Sequence, residues 1–135
     1  MTAQGRKILV ADDEVPITCV MARKLERAGY TVLVAHDGEE ALATARRERP
    51  DLVITDLQMP YLNRLDLSIA LKQDPGTAQT PVIMLTARGY LLTEEQIRST
   101  NIRHMQSKPF SAREILDRVT QIFGQPTGGA AEQAA

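Results

Sequence analysis

Lys7-Ile8-Leu9-Val10-Ala11-Asp12-Asp13 and Leu52-Val53-Ile54-Thr55-Asp56 are the two stretches on which the fold turns. Each is an apolar run too short for a helix, rich in β-branched residues and closed by carboxylates. Runs of that kind read as parallel strands buried on both faces. Two such strands side by side bring Asp12, Asp13 and Asp56 to one edge of the sheet, the edge at which open α/β sheets take their ligands. Carboxylates that close repel one another and call for a cation. An all-oxygen donor set suits a hard divalent ion such as Mg²⁺. A carboxylate beside that ion has the makings of a nucleophile toward a phosphoryl group, with Lys108, ahead of Pro109, to steady incoming charge.

Outward from these strands, helix and strand patterns alternate. Pro16 stands near the start of a helix, where its missing N–H costs nothing. Ile17, Val20, Met21, Leu25 and Ala28 are expected on its inner face, with Gly29 at the C-terminal cap. Thr31-Val32-Leu33-Val34-Ala35 reads as the second strand. Asp37 and Glu40 have capping-box spacing at the head of a helix reaching about Arg47, and Pro50 closes that element. A loop containing Met59-Pro60 leads to a short helix over 65–72, which Asp74-Pro75-Gly76 breaks. Val82 to Leu85 is a fourth strand ending at Thr86. A polar helix over 93–99 and a fifth strand over 102–106 are weakly marked, since His104 and Gln106 are not core residues. Ser111 and Glu114 form a second capping box, opening a helix through Phe123 with Ile115, Leu116, Val119 and Ile122 inward. Five strands alternating with helices predict a parallel sheet covered on both faces.

The 135 residues suffice for one domain with a core. The formal net charge of −1, with no basic block, gives neither nucleic acid nor an anionic membrane an electrostatic footprint. No apolar run reaches the roughly 20 residues that span a bilayer. Cys19 is the only cysteine, which excludes a disulfide framework and fits a cytoplasmic location; it is expected to be a small core-facing hydrophobe. His36 and His104 lack partners at metal-ligand spacing. The organisation expected is a short extension over 1–5, one domain over 6–123 and a disordered tail over 124–135.

Asp12-Asp13, Asp56 in Asp-Leu-Gln-Met-Pro, Thr86-Ala87 and Lys108-Pro109-Phe110, in that order and spacing, resemble the receiver domain of bacterial two-component response regulators. The resemblance covers about residues 6 to 123. It implies a flavodoxin-like, doubly wound α/β fold with five parallel strands in the order 2-1-3-4-5. It implies that a histidine kinase or a histidine phosphotransfer protein donates a phosphoryl group to Asp56. Asp13, Asp56 and the backbone carbonyl of Gln58 would hold Mg²⁺, with Asp12 acting mainly through a bound water. Thr86 and Lys108 would each meet a phosphoryl oxygen. The expected output is contact of a monomer or weak homodimer with a downstream effector protein, and the charge and hydropathy readings leave neither nucleic acid nor membrane as partner.

Three positions depart from the family's usual pattern. Met105 stands where an aromatic residue commonly couples to the threonine, so the expected switch pair is Thr86 with Met105. Arg64 replaces a glycine, and Asn63 is the residue suited to a left-handed conformation there. Asn101-Ile102-Arg103-His104 replaces small and acidic residues, marking a changed partner surface. Two other functions compete. One is a receiver-shaped docking module that works without phosphate. The other is an aspartate-nucleophile phosphatase, disfavoured because Gln58 stands where such enzymes place their general acid.

Overall fold

The computed structural model describes residues 6–56, 66–86, 93–98, 100–107 and 110–123. They form β1 (Lys7–Ala11), α1 (Val15–Arg27), β2 (Thr31–Ala35), α2 (Gly38–Glu48), β3 (Leu52–Asp56), α3 (Asp66–Gln73), β4 (Val82–Thr86), α4 (Glu94–Arg98), β5 (Ile102–Ser107) and α5 (Ala112–Phe123). The strands make one sheet in the order β2-β1-β3-β4-β5, with every neighbouring pair parallel. The doubly wound α/β order that the resemblance implies is the order observed.

Strand alternation divides the core into two layers. Ile8, Val10, Leu52, Ile54, Ile83 and Leu85 point to one face, where Met21 and Leu25 of α1 and Ile115 and Val119 of α5 close over them. Leu9, Ala11, Val53, Val82 and Met84 point to the other, against Ala41 and Ala45 of α2 and Leu71 of α3. Burial on both faces is why β1, β3 and β4 are continuous apolar runs rather than alternating ones.

The helix ends follow their local chemistry. At the end of α1, Gly29 takes φ 104°, its N–H donates to the Glu26 carbonyl at 3.0 Å, and the Tyr30 N–H donates to Leu25 at 3.2 Å. This is a Schellman closure, and the buried Tyr30 joins Leu25 in the core. Ser111 and Glu114 form the expected capping box on α5, with bonds of 3.1 and 2.8 Å. On α2, Asp37 accepts from the Glu40 N–H at 2.8 Å, but the Glu40 carboxylate reaches past the cap to the His36 N–H, also at 2.8 Å.

On α1, Ile17, Met21 and Leu25 face the core as expected, but Val20 and Ala28 do not, and Thr18 takes an inward place. Thr18, Met21 and Leu25 are its buried residues, while Val20 is 59% exposed and Cys19 and Ala28 are exposed. Cys19 is therefore no core hydrophobe. The reason is Thr18: its hydroxyl donates to the Val15 carbonyl at 2.9 Å, so a polar residue can occupy the inward position without an unmet bond.

β5 carries a bulge. Val82 pairs with Ile102 but Ile83 pairs with His104, leaving Arg103 as the extra residue. Past the bulge, Met105 returns to the face of Met84 and packs against the layer under α2 and α3, while His104 lies on the face of Ile83, toward α5. Far from the acidic strand ends, Arg6 lies over the Phe123 ring at 4.5 Å, and Tyr30 meets the same ring at 5.6 Å, fastening the end of α5.

Candidate functional site

The sheet places Asp12 just beyond β1 and Asp56 as the last residue of β3, two neighbouring strands registered from Ile8↔Leu52 to Ala11↔Thr55. Asp12 is fully buried, Asp56 is 8% exposed and Asp13 is exposed. One carboxylate oxygen from each lies within 4.8 Å of the others. The convergence expected of these three residues is thus present. Two of the carboxylates are largely out of water, where mutual repulsion is least screened.

Local bonds hold the acidic turn. Asp12 Oδ1 accepts from the Glu14 N–H at 2.9 Å, curling the chain into α1. The Asp12 N–H donates to the Ala35 carbonyl at 3.1 Å, extending the β1–β2 pairing one residue past the strands. His36 Nδ1 lies 3.2 Å from the Asp12 carbonyl oxygen. His36 was not singled out as part of the site. The signal that finds it is lateral: with Ala11 opposite Ala35, residue 36 necessarily stands beside residue 12.

Thr86 ends β4, directly after the residue that pairs with Asp56. It is 1% exposed, and among the described residues its Oγ1 has no hydrogen-bond partner. A buried hydroxyl without an acceptor costs about 1–3 kcal/mol. Such a group suits a site that receives an acceptor oxygen. Met105 sits half-buried on the same side of the sheet, on the adjoining strand. Lys108, Pro109, Gln58, Met59, Pro60, Asn63, Arg64, Ala87, Arg88 and the tail over 124–135 lie outside the described residues.

The donor set fits a hard cation. Three carboxylates supply oxygen ligands only, the chemistry that suits Mg²⁺ or Ca²⁺ rather than softer metals. His36 offers its ring to a carbonyl rather than to the cluster. Among the described residues no helix is long and apolar enough to cross a membrane.

A family model described as the response regulator receiver domain matches residues 8–120. The alkaline phosphatase synthesis transcriptional regulatory protein PhoP of Bacillus subtilis is 38% identical over 119 residues, which take in 88% of this chain and 49% of that protein. The transcriptional regulatory protein CpxR of Escherichia coli is 41% identical over 117 residues, 87% of this chain and 49% of its own. The chain thus spans about half the length of these curated relatives. Among solved structures, the chemotaxis response regulator CheY4 of Vibrio cholerae superposes with a TM-score of 0.79 at 29% identity, covering 87% of this chain and 98% of that one. The receiver domain of Francisella response regulator 1452 gives 0.77 at 33% identity, covering 91% and 100%. With the parallel sheet, the acidic cluster at its edge and the threonine beside it, these matches make the chain a member of the response regulator receiver domain family.

Proposed function

We propose that the chain is a phosphoryl-accepting switch in two-component signalling, with Asp56 as the acceptor. The observation that carries this reading is the meeting of Asp12, Asp13 and Asp56 at the ends of β1 and β3, next to a buried Thr86 hydroxyl that has no hydrogen-bond partner among the described residues. Asp12, Asp13, Asp56 and the Gln58 carbonyl would hold Mg²⁺. When bound, the ion offsets the repulsion between the acidic cluster and an incoming phosphate. Asp56 forms a P–O bond as the donor's P–N bond breaks, the donor being the phosphohistidine of a histidine kinase or of a phosphotransfer protein. Lys108 meets one phosphoryl oxygen and the Thr86 hydroxyl donates to another, a charge-assisted bond that replaces none now present among the described residues. As Thr86 moves toward the new acceptor, Met105, on the same side of the sheet, repacks and alters the surface around β5.

The role is that of a signalling domain, working in the cytoplasm through a downstream effector protein. The relatives are named as transcriptional regulators, so the effector class includes proteins that act on DNA. With a formal net charge of −1, these 135 residues do not themselves favour contact with the duplex.

The test is intact mass after incubation with a small acyl phosphate, with and without Mg²⁺, beside Asp56→Asn. The expected result is one phosphoryl adduct that requires Mg²⁺ and is absent from the variant. A folded protein that gains no adduct from the small donor or from any histidine kinase would overturn the reading.

A further inference from the structure

His36 follows β2, and its two ends are tied to different elements. Its main-chain N–H donates to the Glu40 carboxylate in the first turn of α2, and its ring meets the Asp12 carbonyl. A carbonyl can only accept, so this contact is a hydrogen bond when the ring carries its proton on Nδ1. The Asp12 N–H donates in turn to Ala35. The residues at the end of β2 therefore hold Asp12 through the peptide groups on both sides of it. The second of these peptides links Asp12 to Asp13, two members of the carboxylate cluster that differ sharply in burial. Asp12 is kept in place by being buried. Asp13 is exposed, and its direction depends on the plane of the peptide that precedes it.

Resting on the phosphoryl-acceptor reading above, we infer that His36 is a positioning residue for this site: by donating from Nδ1 to the Asp12 carbonyl it sets the Asp12–Asp13 peptide and aims the Asp13 carboxylate at the cation. Ring, peptide and carboxylate form one line of support running from the α2 cap to the cluster. The effect is of the kind produced by groups that orient a metal's ligands without touching the metal. His36 is a positioning residue and not a catalytic one, since its ring meets the Asp12 main chain and not a carboxylate of the cluster.

The experiment uses the full chain with His36→Leu, His36→Ala and His36→Asn. The first two remove the donor. Asparagine returns an amide N–H the same number of bonds from the backbone as Nδ1. Mg²⁺ titrations are followed by amide nitrogen and proton shifts, and the metal-free Asp13 amide shift reports polarisation of the preceding carbonyl. His36→Leu and His36→Ala are expected to bind Mg²⁺ roughly tenfold more weakly and to move the metal-free Asp13 amide. His36→Asn is expected to restore both. Wild-type affinity in the Leu and Ala variants would overturn the role, as would failure of asparagine to rescue. Loss of fold in both donor-less variants would make His36 a structural residue and overturn it too. These results differ from failure of the underlying reading, in which wild type itself neither binds Mg²⁺ nor accepts a phosphoryl group.

Discussion

β3 and β5 run the same way through one sheet, separated only by β4, yet they are built for opposite ends. All five residues of β3 are buried, with pairing on both sides and no break in register, and the strand delivers Asp56 to the edge. β5 has one buried residue among its six, lies at the border of the sheet and is bulged at Arg103. A carboxylate that must meet two others to within a few ångströms needs the first kind of strand. A surface that must change its contacts needs the second, where local free energy is low enough to be shifted. The difference shows how one sheet can hold a carboxylate fixed while leaving a strand two places away easier to displace.

The sharpest way to break this contrast is to hollow out each strand. Ile54→Ala, at a fully buried site, is expected to cost about 2–5 kcal/mol in urea unfolding. Met105→Ala, on a half-buried side chain, is expected to cost less than about 2 kcal/mol. Equal losses would mean that the edge is as firmly built as the centre. Next comes the ion. At a hundred times its Kd, Mg²⁺ should raise the unfolding free energy by about 2.7 kcal/mol. Asp13→Asn should remove most of that gain. In chelator the same variant should be the more stable protein, because one like charge leaves the cluster. A smaller effect tests the helix that follows β5: Ser111→Ala removes the α5 cap and should cost about 1 kcal/mol by thermal unfolding.

The smallest effect concerns pH. Burial, and then the charge of Arg118, hold the His104 ring below its ordinary value of 6.5, while Gln106 opposes them. The unfolded chain therefore takes up a proton before the folded one does. The contribution of neutral His104 is complete above pH 6.5 and is lost as the pH falls through the lower, folded value. His104→Gln should flatten that part of the stability profile. A profile in which the variant and wild type run parallel below 6.5 would show that β5 does not feel this titration.

β1, β3 and β4 were legible in the sequence because burial on both faces leaves no other pattern for such residues. The three aspartates were legible for a related reason, since strand ends in a parallel sheet have only one place to go. β5 was harder to read because a bulge breaks the two-residue period, putting His104 and Met105 on faces that alternation alone does not assign. On α1, Ile17, Met21 and Leu25 were legible, but not the exchange of Val20 for Thr18 on the inner face, because hydropathy ranks Val20 higher, whereas a hydroxyl satisfied by its own helix can be buried at little cost. His36 was passed over because its role depends on which residue lies across the sheet, information that spacing along the chain does not hold.

Arg103 gives β5 a spare length of chain. Deleting it would leave Ile102 across from Val82 and His104 across from Ile83, so each later residue would keep its present partner. A deletion at any position from 104 to 106 that left the bulge in place would instead turn the rest of the strand over. Position 103 is thus where this strand can tolerate a change of length: the chain can be shortened there by one residue while Met105 and Ser107 keep their sides of the sheet.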